Sequence, residues 1–344
     1  MSDERPPPDR VVSAEPATFD VVGIGNALVD VIAHAADSFL LAHGLVKGSM
    51  ELVDTDRALQ LYRALGPAVQ MSGGSAANTM CGVASLGGRA AYIGKVSADD
   101  LGAVFGHDLH AVGVSFRPGA GSAEVPTGRC VIVVTPDAQR TMNTYLGVSS
   151  LLSVDDLDGA AIAAGEVLYM EGYLFDRDDA KAAFRSAAQI AHAAGRKVSL
   201  TLSDSFCVDR HRADFAALVR DEVDLLFGNT AEICSLYELD DLDSAVAEVR
   251  RHCELVTVTT GAAGSLVITP DDVVAVPAVS VPRVLDTTGA GDLYAAGFLY
   301  GYTRDLPLTD CAHIGSLAAG EVISHVGPRP LVELRTLLPS KIAN

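Results

Sequence analysis

The run DTTGAGDLYAAGF, Asp286 to Phe298, places two carboxylates and three glycines in a stretch that then turns apolar. Gly289, Ala290 and Gly291 offer backbone N–H groups at a helix start, where the partial positive charge favours an oxyanion. Asp292 follows at once. A carboxylate there is ill suited to binding phosphate, because like charges repel. It is well suited to taking a proton from a hydroxyl that attacks the phosphate. The pattern predicts a loop that holds a transferring phosphoryl group beside an acid that activates its acceptor. The alternative is plain capping, with Asp286, Thr287 or Thr288 supplying the helix cap and Asp292 no chemistry.

Further segments carry groups of the same kind. VVGIGNALVDV puts Asn26 and Asp30, both hydroxyl-binding side chains, in a turn after a strand. Its Gly23-x-Gly25 is a poor dinucleotide signature, since Leu28 holds the third glycine position. SGGSAANTMCGVASLGG (72–88) is a glycine-rich loop entering a helix. Gly73 and Gly74 permit close approach of a ligand, and Asn78 in the first turn can reach a hydroxyl. Tight helix-on-sheet packing is the competing explanation. FGNTAE puts Asn229 and Glu232 at a helix start, where Glu232 is either a dipole partner or a holder of magnesium through water. TTGAAGS, beginning at Thr259 and including Gly261 and Gly264, suits a nucleotide's ring or ribose, or is a simple hairpin turn. Arg140, in DAQRTMNTY, reaches a phosphate or decorates a β edge. No G-x-x-x-x-G-K-[ST] cradle occurs.

These residues need a scaffold. From residue 19 onward, apolar strand candidates (19–25, 90–96, 166–173, 197–203, 223–229, 254–261) alternate with helical patterns (75–86, 99–112, 177–194, 209–220, 241–253), and 290–326 reads as helix. Near-continuous apolar strands separated by helices predict a parallel sheet covered on both faces. Residues 33–53 and 115–149 break the alternation and read as β-rich insertions, a small lid on an α/β body. Ligands bind beyond the carboxyl ends of such strands, where Asn26, Tyr173, Asn229 and Gly261 fall.

Composition sets the limits. The 344 residues are 49% hydrophobic, enough for a large core, and 25 Lys+Arg against 44 Asp+Glu give a formal charge of −19. That field disfavours nucleic acid and anionic membrane surfaces as partners and leaves small molecules. No apolar run reaches a membrane span of about 20 residues. MSDERPPPDR lacks a signal-peptide core, which predicts a cytoplasmic chain. Residues 1–18, rich in proline and charge, read as a disordered tail, and 19–344 as one domain. The six cysteines form no C-x-x-C and no zinc pattern.

In order and spacing, GIGNALVD, GGSAANT, GKVSADDLG, NTAE, TTGAAGS and above all DTTGAGD resemble the ribokinase-like (PfkB) carbohydrate and nucleoside kinases, from about residue 19 to 332. The resemblance implies an α/β, ribokinase-like three-layer sandwich with a mainly parallel central sheet and a small β-sheet lid. It implies ATP and Mg2+, with Asp292 as catalytic base and Gly289, Ala290 and Gly291 as the anion hole. Asn229 and Glu232 would lie in the nucleotide–magnesium region, Gly261 and Gly264 near ATP. Asp30, Gly74 and Asn78 would bind sugar hydroxyls. GNALVDV, GGSAANT and FGNTAE look closest to adenosine kinases, where an aromatic matching Tyr173 would stack on the base and a lid arginine would match Arg140. Potassium-dependent relatives carry a small polar residue where GPRPL ends in Leu331, which counts against a monovalent-cation (K+) site. The expectation is a kinase for the 5′-hydroxyl of adenosine. The alternatives are a sugar kinase for ribose, fructose or a relative, and a non-catalytic nucleoside-binding protein. Monomer and lid-paired homodimer both fit.

Overall fold

The computed structural model describes residues 16–118, 121–122, 124–137, 139–339 and 342. Most of the expected tail, residues 1–15, lies outside them. Fourteen strands run in chain order among the described residues: β1 (Phe19–Ile24), β2 (Leu28–His34), β3 (Met50–Leu52), β4 (Ala68–Gly73), β5 (Ala90–Ile93), β6 (Ser115–Phe116), β7 (Gly128–Val134), β8 (Arg140–Tyr145), β9 (Gly165–Glu171), β10 (Lys197–Thr201), β11 (Leu225–Asn229), β12 (Leu255–Thr259), β13 (Ser265–Ile268) and β14 (Val273–Val276). The helices are α1 (Asp37–Ala42), α2 (Thr55–Ala64), α3 (Ser75–Ser85), α4 (Asp100–Ala111), α5 (Gly159–Ala164), α6 (Asp178–Ala193), α7 (Ser205–Asp221), α8 (Thr230–Tyr237), α9 (Leu242–Val249), α10 (Ala290–Tyr302) and α11 (Leu308–Val322).

Nine strands form one sheet in the order β14-β13-β12-β11-β10-β9-β1-β5-β6. Its pairs are parallel from β6 to β12, and β13 and β14 add an antiparallel edge. Successive strand residues point to opposite faces. Accordingly Val21, Val167, Tyr169 and Phe227 pack with α3, α4, α10 and α11 on one side. Val22, Leu168, Met170 and Leu226 pack with α5 to α9 on the other. That is the expected three-layer α/β body. Helix α6 shows why it forms: Ala180, Ala183, Phe184, Ala187, Ala188 and Ala191 recur at helical spacing and are all buried.

The other five strands form a second sheet, β3-β8-β7-β2-β4. It is wider than the expected insertions, because β2 and β4 join it, while Ser115–Phe116 instead pairs with β5 in the large sheet. The stretch 33–53 also contains helix α1. Asp30 therefore sits within strand β2 rather than in a strand-end turn. Among the described residues, no helix is long and apolar enough to cross a membrane. All six cysteines are free thiols.

Candidate active site

The carboxyl ends of β12, β11, β9 and β1 lie along one edge of the large sheet, because these strands are parallel in that order. Thr259 and Asn229 are register partners there. The chain leaves β1 toward β5 on one side, and β9 lies on its other side, which makes a topological switch point beside Asn26. Helix α3 begins at the same place. Gly74 has φ +92°, and a Cβ on it would stand 2.1 Å from the Asn26 carbonyl oxygen, so only glycine fits this entry. Gly25 is equally constrained by Ala76 and Glu171, and Gly23 by Met80, so this glycine pair serves helix-on-strand packing.

Asp292 lies in the first turn of α10, after Gly289 in a left-handed conformation (φ +79°) that no side chain caps. Its half-buried carboxylate accepts from Ser75 Oγ at 2.7 Å and from Asn78 Nδ2 at 2.9 Å. Burial pushes its pKa up, while these two bonds oppose the rise. Asn78 thus touches Asp292 directly, and its buried Oδ1 has no partner among the described residues. The loop before α10 is less bare than its composition suggests: Ala290 N–H donates to the Thr287 carbonyl at 3.2 Å. A Cβ on Gly291 would meet open space. Asp286 does not cap α10. It accepts from Thr288 N–H (3.0 Å), Thr288 Oγ1 (2.7 Å) and Gly327 N–H (2.9 Å), which fixes the shape of the loop.

The small sheet contributes two charges to this edge. Arg140, first residue of β8, pairs with Asp286 (Nη2 to Oδ2, 2.8 Å), and both side chains are 9% exposed. Asp30, on β2, is buried against Gly73, where a Cβ would come within 2.6 Å of its carboxylate. Burial raises Asp30 to a pKa of about 6, moderated by Arg329 and Arg140 and reinforced by Asp292. Tyr173 follows β9 in a 3-10 turn, is half-buried, and donates its hydroxyl to the Ser203 carbonyl at 3.2 Å.

On the β11–β12 side, Asn229 and Glu232 form a reciprocal capping box. Asn229 N–H and Nδ2 donate to the two oxygens of Glu232 at 3.0 and 2.6 Å, and Glu232 N–H donates to Asn229 Oδ1 at 3.0 Å. Burial lifts Glu232 to a pKa of about 7. Gly261 (φ +63°) and Gly264 (φ +105°) shape the turn after Thr259. A Cβ on Gly264 would strike the Val276 carbonyl oxygen at 2.1 Å, whereas Gly261 faces open space. Among the described residues, no three His, Cys, Asp or Glu side chains are placed to hold a metal ion. With both Glu232 oxygens engaged, the residues present do not form an all-protein magnesium site.

The fold gathers Asp292, Asn78, Asp30, Arg140 and the 289–291 loop, but it turns Asn26 inward. Asn26 Nδ2 donates to Glu171 at 2.9 Å, and its Oδ1 accepts from Ser149 at 3.0 Å. Three residues escape a reading by motif. Glu171, 1% exposed, accepts from Asn26 N–H, Asn26 Nδ2 and Ala76 N–H, and so locks β1, β9 and α3 together. Its signal is an acid at the carboxyl end of the apolar run 167–170. Ser75 carries no signal beyond following two glycines. Arg329 follows Pro328, itself packed on Gly289.

The family model for pfkB family carbohydrate kinases matches residues 51–334. A solved structure of adenosine kinase from Sinorhizobium meliloti is 52% identical, with a TM-score of 0.86, over 93% of this chain and 98% of that one. A probable sugar kinase from Rhizobium etli is 46% identical, with a TM-score of 0.87, over the same shares of both chains. An uncharacterized sugar kinase from Archaeoglobus fulgidus is 27% identical over 72% of this chain and 96% of its own length.

Proposed function

The chain belongs to the pfkB family of carbohydrate kinases, and from that premise we propose that it phosphorylates the 5′-hydroxyl of adenosine, with ATP and magnesium. It is an ATP-dependent phosphotransferase acting on a hydroxyl of a sugar or nucleoside. The observation that carries the mechanism is the carboxylate of Asp292, held by Ser75 and Asn78 in the first turn of α10 beside Gly289, Ala290 and Gly291.

In this reading the acceptor hydroxyl approaches Asp292. The carboxylate has lone pairs left after its two bonds, and its raised pKa makes it a better proton acceptor. The hydroxyl proton passes to Asp292 as its oxygen attacks the γ-phosphorus. The bond from that phosphorus to the ADP leaving oxygen breaks. Arg140, drawn to the Asp286–Thr288 loop, adds positive charge where the phosphoryl group would lie. Asp30 takes ribose hydroxyls, and a hydroxyl proton also satisfies Asn78 Oδ1. Magnesium bound with the ATP phosphates would supply the charge neutralisation that the described residues do not. Glu232 keeps Asn229 and α8 in place beside the nucleotide. Tyr173 offers a ring face to the base, a contact worth roughly 1–3 kcal/mol.

The 52% identity with a protein described as adenosine kinase supports this acceptor. The 46% identity with a probable sugar kinase favours the second reading, a sugar acceptor at the same site. The test of the mechanism is Asp292→Asn, which keeps the volume and one of the two acceptor positions now held by Ser75 and Asn78. We expect kcat to fall at least ~10²-fold, with ATP affinity measured by calorimetry unchanged. Turnover within a few-fold of wild type contradicts the assignment.

A further inference from the structure

The segment from Gly327 to Arg329 joins parts of the site that are distant in sequence. Gly327 N–H donates to Asp286, and Pro328 packs against Gly289, both in the loop before α10. Two residues on, the Arg329 guanidinium forks. Nη2 donates to the Ser72 carbonyl (3.0 Å) and to Ser72 Oγ (3.1 Å), and Nη1 donates to the Ala77 carbonyl (3.3 Å). Ser72 is the penultimate residue of the lid strand β4, and Ala77 lies in the first turn of α3. Between them stand Gly73 against Asp30, Gly74 against Asn26, and Ser75 against Asp292. Arg329 Nε is buried and has no hydrogen-bond partner among the described residues, a cost that the head bears at this position. Its charge acts on Asp30, to which no hydrogen bond is made among the described residues.

We propose that Arg329 is a positioning residue for the acceptor pocket: its guanidinium pins the Ser72–Ala77 turn and holds a positive charge behind Asp30. The inference rests on the reading of Asp30 as an acceptor-binding carboxylate. An arginine suits both tasks, because a planar fork can hold two carbonyls and stays charged when buried. The ionisable groups facing Asp30 are Arg329 from the C-terminal segment, Arg140 from β8, Asp292 from α10 and the Cys130 thiol on β7. Arg329 and Arg140 favour the ionised form, and Asp292 opposes it.

The experiment measures kcat and KM for adenosine against pH, at saturating ATP and magnesium, in wild type, Arg329→Met, Arg329→Lys and Asp30→Asn. Arg329→Met should raise the acceptor KM at least tenfold and move the acid limb of kcat/KM up by about one pH unit, with the KM for ATP unchanged. Arg329→Lys keeps the charge and loses the fork, so the limb returns toward wild type while KM stays raised. Where Arg329→Met does not fold, the Lys variant decides, and a wild-type acceptor KM there overturns the pinning role. A wild-type limb and KM in Arg329→Met, beside a raised KM in Asp30→Asn, overturns this inference alone. A wild-type KM in Asp30→Asn removes the acceptor role of Asp30, and this inference with it.

Discussion

The burial of Asp30 sets a pH-dependent cost on the fold. Its carboxyl is raised to about 6, mainly by burial, against roughly 3.9 in an unfolded chain. The folded state therefore binds its proton more tightly. This contribution to stability is fully present below about pH 4 and is lost as pH rises through 6. Two pH units correspond to at most about 3 kcal/mol, and relaxation reduces it. Asp30→Asn should accordingly melt at a higher temperature than wild type at pH 8, with the gap narrowing as pH falls from 6 toward 4, while binding the acceptor poorly. A variant less stable than wild type at pH 8 contradicts this account of the burial. At the same scale, Asp292 and the 289–291 loop were legible in the sequence, because glycine, helix start and acid fall within four residues. The Ser75 and Asn78 grip on Asp292 was not, since it joins residues more than 200 positions apart. Asn26 misled for a related reason: its partners Glu171 and Ser149 come from other elements.

Elements place these side chains, and their starts are unusually well specified. Asp54, Asp99, Asp158, Asp204, Asn229 and Asp241 each accept a backbone N–H at a helix N-terminus. Asn229→Ala removes the cap oxygen that accepts from Glu232 N–H and the Nδ2 donor, and leaves the buried Glu232 carboxylate with only the backbone N–H of residue 229. The expected loss is about 1 kcal/mol or more in urea unfolding, and if the proposed nucleotide site adjoins the start of α8, KM for ATP rises as well. An unchanged denaturation midpoint would show that the box carries no load. The body elements were legible because alternation of apolar strands with 3.6-periodic helices is a strong signal. The lid was legible only in part. Strand β2 follows β1 after three residues and β4 runs straight into the glycine loop before α3, so both read with the body segments they adjoin, and α1 and α2 lie in stretches of mixed period. Their pairing is decided by tertiary contact, such as Leu61 of α2 packing with Val131 and Val133 of β7.

At the scale of the whole molecule, the nine-stranded body carries Asp292 and the 289–291 loop, and the five-stranded sheet brings Asp30 and Arg140 to the same edge. The chain carries a formal charge of −19, to which Asp30, Asp286 and Asp292 of the candidate site contribute. Such a surround cannot neutralise ATP unaided, so activity should vanish in excess chelator and return with added magnesium. Full turnover without a divalent metal would refute this. The acceptor remains the central claim, and it depends on the site as a unit: a diol held at Asp30 and Asn78, and a base laid against Tyr173. Ribose fills the first part alone, and a nucleoside fills both. The most direct measurement is kcat/KM for adenosine, ribose and fructose on the wild-type enzyme with ATP and magnesium. The account predicts adenosine ahead of either sugar by at least about tenfold, the share expected from one stacked base, with phosphate on its 5′-oxygen. A higher kcat/KM for ribose or fructose contradicts it and makes the chain a sugar kinase.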